Sequence, residues 1–151
     1  MKLQSIFLLV FYLFTYYNGT AQINNTPEDE KNSYDLTLNI TNIKSKGNLF
    51  IQILTDSLAY SSNTFSSKTK LFKENIDKNN FTKIINLPKD KYLIQLYIDE
   101  NLNDKLDSNF LGIPKEQYGF SSKKILRFRK PNFDEASFDL KSNLTIDITL
   151  Q

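Results

Sequence analysis

Four side chains with hard oxygen donors, Asp99, Asn101, Asn103 and Asp107, stand at positions 1, 3, 5 and 9 of the run DENLNDKLD. In a tight turn, alternate side chains of this kind converge on one centre, which is the donor chemistry a Ca²⁺ ion takes. A calcium loop of the EF-hand kind adds a backbone carbonyl at position 7, here that of Lys105, and a bidentate glutamate at position 12. Position 12 is Phe110, which has no donor, so Glu116 or Glu100 would have to fold back to complete the set. Position 6, usually glycine for the sharp turn, is Asp104, which reaches a left-handed backbone less easily. The expected ligands are therefore Asp99, Asn101, Asn103, Lys105 through its carbonyl, Asp107 and Glu116. With so few formal charges the expected affinity for Ca²⁺ is weak, about 10⁻⁴–10⁻³ M as in extracellular modules. The competing arrangement is a metal-free turn in which the same Asn and Asp side chains cap their own backbone amides.

Other chemistry is narrowed by what the chain lacks. There is no Cys, which excludes thiol catalysis, thiolate metal sites and disulfides. There is no His, which removes the usual general base near neutral pH and most zinc sites. Two of Asp99, Glu100, Asp107 and Glu116 could pair for glycoside hydrolysis. That mechanism needs one carboxyl raised in an apolar pocket, whereas these lie among Asn, Asp and Lys. No enzymatic activity is expected. The basic run Lys123, Lys124, Arg127, Arg129 and Lys130, with Tyr118 and Phe120 before it, offers an alternative site for a small ligand or glycan. A charge run of this kind is more often the solvated face of a strand, and Tyr92, Tyr97, Tyr118 and Phe120 more often anchor a core.

The elements that must position the loop read as short strands. Tyr34–Ile43 alternates, with Leu36, Leu38 and Ile40 on one side, and a Lys44–Gly47 turn leads to a second strand, Asn48–Leu54. Phe81–Leu87 and Lys91–Ile98 are two more, separated by Pro88-Lys89-Asp90, and the second ends where Asp99 begins the loop. Both pairs are expected to be hairpins. Residues 55–80 hide a short strand or a helical turn, because a long structureless loop is uncommon in a small domain. Ser108–Gln117 suggests a turn or short helix, Lys123–Arg129 a further strand, and Leu144–Leu150 a last one. About seven strands with no long helical period point to an all-β, antiparallel β-sandwich.

The chain opens with Lys2, an apolar run from Ile6 to Phe14 and the small triplet Gly19-Thr20-Ala21. That is the pattern of a secretory signal peptide, too short to span a bilayer, with cleavage expected before Gln22. The expected organisation is a signal peptide over 1–21, a polar leader over 22–33 and one domain over 34–151. The formal net charge is +2, and removing Lys2 with the signal peptide would lower it by one. Such a balance provides no long-range field for nucleic acid or an anionic membrane. Candidate partners are envelope proteins or glycans.

Asp99–Leu111 (DENLNDKLDSNFL), Gly112–Glu116 (GIPKE), Tyr118–Ser121 (YGFS) and Pro131–Ala136 (PNFDEA) together resemble an exported bacterial family, domain of unknown function 2141, frequent in Bacteroidetes. Its members look like D-E-N-x-N-G-K-L-D, then L-G-I-P-x-E-x-Y-G-F-S, then P-x-F-E-x-A. This chain departs where the family has Gly (Asp104) and where the preceding strand often ends in His (Ile98). The resemblance implies an immunoglobulin-like or transthyretin-like sandwich, a periplasmic or cell-surface location and no established activity. The loop is also similar to calcium loops of surface-adhesin repeat domains.

Overall fold

The computed structural model describes residues 33–62, 66–77, 79–122 and 129–151. The expected signal peptide and nearly all of the leader lie outside them, as does most of the expected strand Lys123–Arg129. In chain order the elements are β1 (Ser33–Thr41), β2 (Gly47–Leu54), α1 (Ser57–Ser62), β3 (Lys70–Ile76), β4 (Phe81–Pro88), β5 (Asp90–Asp99), β6 (Tyr118–Phe120), α2 (Phe133–Ala136), β7 (Ser137–Leu140) and β8 (Leu144–Thr149). Residues 55–80 thus hold both a helix and a strand. Ser108–Gln117 is a turn with one bridge, Ser108 to Pro114.

The strands form two sheets. One has the order β4-β1-β8; the other runs β3-β2-β5-β6, with β7 also paired to β5. Leu36, Leu38 and Ile40 of β1, Ile85 and Leu87 of β4 and Ile148 of β8 bury against Leu49, Ile51 and Ile53 of β2 and Ile94, Leu96 and Ile98 of β5. The two sheets therefore share one core, built from the period-2 alternation of their strands.

Three expectations about pairing are corrected. β1 and β2 are not a hairpin: β1 pairs with β4 and β8, while β2 pairs with β3 and β5. The β4–β5 connection is likewise a crossing between sheets. Alternation fixes which face of a strand is apolar, but a strand can meet that requirement in either sheet facing the same core. Nor is the fold wholly antiparallel, because β1 and β8 run parallel, Leu36 opposite Leu144 through Thr41 opposite Thr149.

β5 is central and covered on both faces. Tyr92, Leu93 and Ile94 are consecutive buried residues, as expected of a strand with packing on each side. Leu93 faces away from the main core into a second cluster with Leu54, Tyr60 and Ala136, against which Phe120 and Phe133 pack. A capping box starts α2, which supplies Ala136 and Phe133 to this cluster: Glu135 N–H donates to Asn132 Oδ1 at 2.9 Å and Asn132 N–H to Glu135 Oε2 at 2.8 Å. β5 is thus clamped along its length before it reaches Asp99.

Candidate functional site

Asp99 ends β5 and is fully buried (0% exposed). Its register partner is Asn48 of β2, and next to Asn48 the chain has Gly47. A Cβ at Gly47 would lie 2.3 Å from the Asp99 carbonyl oxygen, so only glycine lets β2 approach the root of the loop so closely.

From this root the loop folds by side chains capping backbone amides. Asp99 Oδ1 accepts Asn103 N–H at 3.1 Å, and Oδ2 accepts Asp104 N–H at 2.8 Å. Asn101 Oδ1 accepts Asn103 N–H at 3.2 Å, and Asn103 Oδ1 accepts Lys105 N–H at 2.9 Å. These are successive Asx turns. Leu102 and Asp104 take left-handed backbones, φ 62° and 61°, so Asp104 adopts the conformation for which glycine is usual at that position.

The side chains at positions 3, 5 and 9 do converge. Asn101 Nδ2 donates to Asp107 Oδ2 at 2.6 Å, and Asn103 Nδ2 reaches Asp107 Oδ2 at 3.2 Å and Oδ1 at 3.3 Å. Glu116 folds back, as the missing position 12 requires, but its oxygens close the loop at the backbone. Oε1 accepts Glu100 N–H at 3.0 Å and Oε2 accepts Asp107 N–H at 2.9 Å. Glu100 turns instead to Ser45, whose hydroxyl donates to its Oε1 at 2.7 Å. Phe110, at position 12, is 94% exposed. Lys105 contributes its amide to the turn.

The carboxylates are less solvated than a polar loop suggests: Glu116 is 7% exposed and Asp99 wholly enclosed. Each oxygen of both accepts a backbone N–H, so neither carboxylate is buried without donors. The loop's negative charge is felt by Tyr97 on the same strand. Its phenol is pushed up to about 12, mainly by burial and then by Asp99, Asp104 and Glu116. Lys73 balances part of the charge, meeting Asp104 Oδ1 at 2.6 Å, with its Nζ also 5.1 Å from the Phe50 ring centroid. Phe50 stacks on Tyr97 with centroids 5.0 Å apart.

As a cation site the donor set fits in part. A carboxylate or amide oxygen that accepts one N–H retains a second lone pair. Asn101 and Asn103 point their amide nitrogens at Asp107, so a cation there would need both amides to turn their oxygens inward. Among the described residues no group of three or more Asp, Glu, His or Cys is arranged to hold a metal. The chemistry present is that of hard, mostly neutral oxygen donors around one aspartate.

Sequence reasoning missed the residues that fasten the loop's exit. Gln117, also buried, accepts Lys44 N–H through Oε1 at 2.6 Å and donates Nε2 to the Asn42 carbonyl at 2.9 Å. It ties the β1–β2 crossing to the loop. A single Gln after a Glu carries no sequence signal for such a role. Gly47 had one, as a glycine at a strand start.

At the alternative site, Lys123–Phe128 fall outside the described residues. Tyr118 and Phe120 meet edge to face, 6.0 Å between centroids, and Phe120 packs on the second cluster. Arg129 makes a bidentate pair with Glu135, both contacts 2.7 Å, and Lys130 Nζ lies 4.4 Å from the Tyr60 ring centroid. The parts of this region that are described are engaged with their own fold. No helix of the described residues is long and apolar enough to cross a membrane.

No curated protein and no solved structure matches the chain. A bacterial family described as "Uncharacterized protein conserved in bacteria (DUF2141)" matches residues 38–147, from within β1 to within β8. That span takes in β2 to β7, most of the shared core and the whole loop, and the chain belongs to this family.

Proposed function

We infer that the protein is a secreted, non-enzymatic module of the cell envelope, an immunoglobulin-like or transthyretin-like β-sandwich whose Asp99–Glu116 loop is a weak, structural Ca²⁺ loop. The observation that carries this reading is the meeting of Asn101 and Asn103 on Asp107, above a buried Asp99 that already holds the turn. Asp99, Asn101, Asn103 and Asp107 would hold the ion through side-chain oxygens and Lys105 through its carbonyl, with Glu116 keeping the loop closed. The bound ion would supply positive charge to a crowded set of oxygens and so stiffen the loop. The reading is non-enzymatic because the two buried carboxylates are occupied in capping backbone N–H groups and the chain has no His or Cys.

Calcium that binds only the folded chain must raise its stability, by about 1.4 kcal/mol at free ion about ten times Kd. Thermal melts in millimolar Ca²⁺ against chelator should therefore differ by about 3–6 °C. Mg²⁺ should do less, because it dehydrates reluctantly and demands a smaller octahedral shell. Asp99→Ala should abolish the difference, because position 1 anchors the loop at the end of β5. Identical melts in calcium and chelator for the unsubstituted chain would sink the calcium reading and leave a metal-free Asx turn.

The secreted location has its own test. N-terminal sequencing of the protein from its native envelope should find a start at or near Gln22, after the small-residue triplet. An intact Met1 in cells would overturn export by cleavage.

A further inference from the structure

The far half of the loop presents its largest apolar side chains to solvent. Phe110 is 94% exposed, Leu111 68% and Ile113 55%, and Leu102 and Leu106 are exposed on the first half. Soluble surfaces rarely display consecutive large apolar residues in this way without a use. Most of the backbone N–H groups beneath them are bonded within the tip. Asn109 N–H donates to the Ile113 carbonyl at 2.8 Å and Gly112 N–H to the Asn109 carbonyl at 2.9 Å. Asn109 Oδ1 accepts Leu111 N–H at 2.9 Å and Ile113 N–H at 3.0 Å, and Lys115 N–H reaches the Asp107 carbonyl at 2.8 Å. Pro114 has no N–H to satisfy.

With the N–H groups of Asn109, Leu111, Gly112 and Ile113 bonded within the tip, only that of Phe110 is left to the hydrated headgroup layer, so the tip strands few polar groups on leaving bulk water. A convex tip also suits a deformable surface better than a rigid protein face. The charge pattern agrees. From Ser108 to Lys115 the only charged residue is Lys115, and Lys105 stands exposed at the other side with no ion pair among the described residues. The acids of the loop are turned elsewhere: Asp104 to Lys73, and Asp99, Asp107 and Glu116 into the turn.

We propose that the Phe110–Ile113 tip is a membrane-interface anchor, seating Phe110, Leu111 and Ile113 at the headgroup boundary of a bilayer containing anionic lipid, with Lys105 and Lys115 on the phosphates. It does not depend on whether the loop binds calcium. Lysine stems lie along apolar surface while their ammonium groups stay with the headgroups.

The chain has no Trp, so Phe110→Trp places a single reporter at the tip. In the full-length chain its emission should shift to the blue with vesicles of phosphatidylglycerol and phosphatidylcholine, and acyl-brominated lipid should quench it. Leu58→Trp, on α1 at the opposite end of the sheet from Asp99, should do neither, which separates tip insertion from binding through the N-terminal apolar run. Adding Leu111→Asp to the tip reporter, or Lys105→Glu with Lys115→Glu, should each lower partition onto the anionic vesicles about tenfold or more. Both changes lie on exposed side chains and should leave the melting midpoint nearly unchanged.

An emission unchanged by every vesicle would overturn the anchor. So would a blue shift without lipid that grows with protein concentration, which would assign the tip to a second copy of the chain. Equal quenching of the Leu58 reporter would move the contact away from the tip. Equal partition onto pure phosphatidylcholine would remove the role given to the lysines.

Discussion

Asp99→Ala is expected to destabilise the folded chain by about 2–4 kcal/mol, measured by urea unfolding in chelator so that no metal contributes. The substitution deletes two acceptors at once. The N–H groups of Asn103 and Asp104, now satisfied by Oδ1 and Oδ2, would face a side chain that accepts nothing, and each unsatisfied donor costs about 1–3 kcal/mol. The residue's complete burial limits replacement by water. Asp99→Asn should fall between, because it keeps one oxygen and turns a donor towards the other N–H. This order, Asp above Asn above Ala, separates a capping role from a packing one, in which Asn and Asp would be nearly equal. A cost below about 0.5 kcal/mol for Asp99→Ala would mean that the buried carboxylate does not hold the turn.

Gly47→Ala is expected to cost about as much, on the order of 2–3 kcal/mol, through a contact that lies outside the loop itself. The added Cβ would stand 2.3 Å from the Asp99 carbonyl oxygen, 3.0 Å from its carbon and 3.1 Å from Ile98 Cγ2. The two nearest atoms are backbone and cannot rotate aside. β2 and β5 are also fixed to each other by the ladder from Asn48–Asp99 to Leu54–Leu93, so relief requires the strands to part at the loop's root. Gly112→Ala is the control. A Cβ there meets nothing within 4 Å, and only the left-handed φ of 76° is penalised, about 1 kcal/mol. Thermal melts should therefore show Gly47→Ala falling well below Gly112→Ala, by several degrees. If the two variants melt together, backbone conformation and not the close approach sets the role of Gly47.

Much of this molecule was readable in its residues. The alternation in β1, β4, β5 and β8 identified strands and their buried faces, because side chains on a pleated strand alternate whatever the strand pairs with. The loop was legible for the same local reason: Asn and Asp cap amides two to five residues away, so their spacing alone brings Asn101, Asn103 and Asp107 together over Asp99. Either Glu116 or Glu100 was expected to fold back as a ligand; in the fold Glu116 caps the Glu100 and Asp107 amides and Glu100 turns to Ser45.

What the tertiary structure decided was partnership across distance. Leu36, Leu38 and Ile40 of β1 would bury equally well beside β2 in one sheet or opposite it in another, and only packing around the shared core chose the second. The same packing set β8 parallel to β1 and covered the outer face of β5 with Tyr60 and Ala136. It brought Gly47 against Asp99 and Gln117 against Lys44, contacts between segments far apart in the chain. Local hydrogen bonding and periodicity are properties of neighbouring residues and so are written in order along the sequence. The choice among sheets that satisfy the same pattern is settled by packing the whole chain at once, which no single stretch of it records.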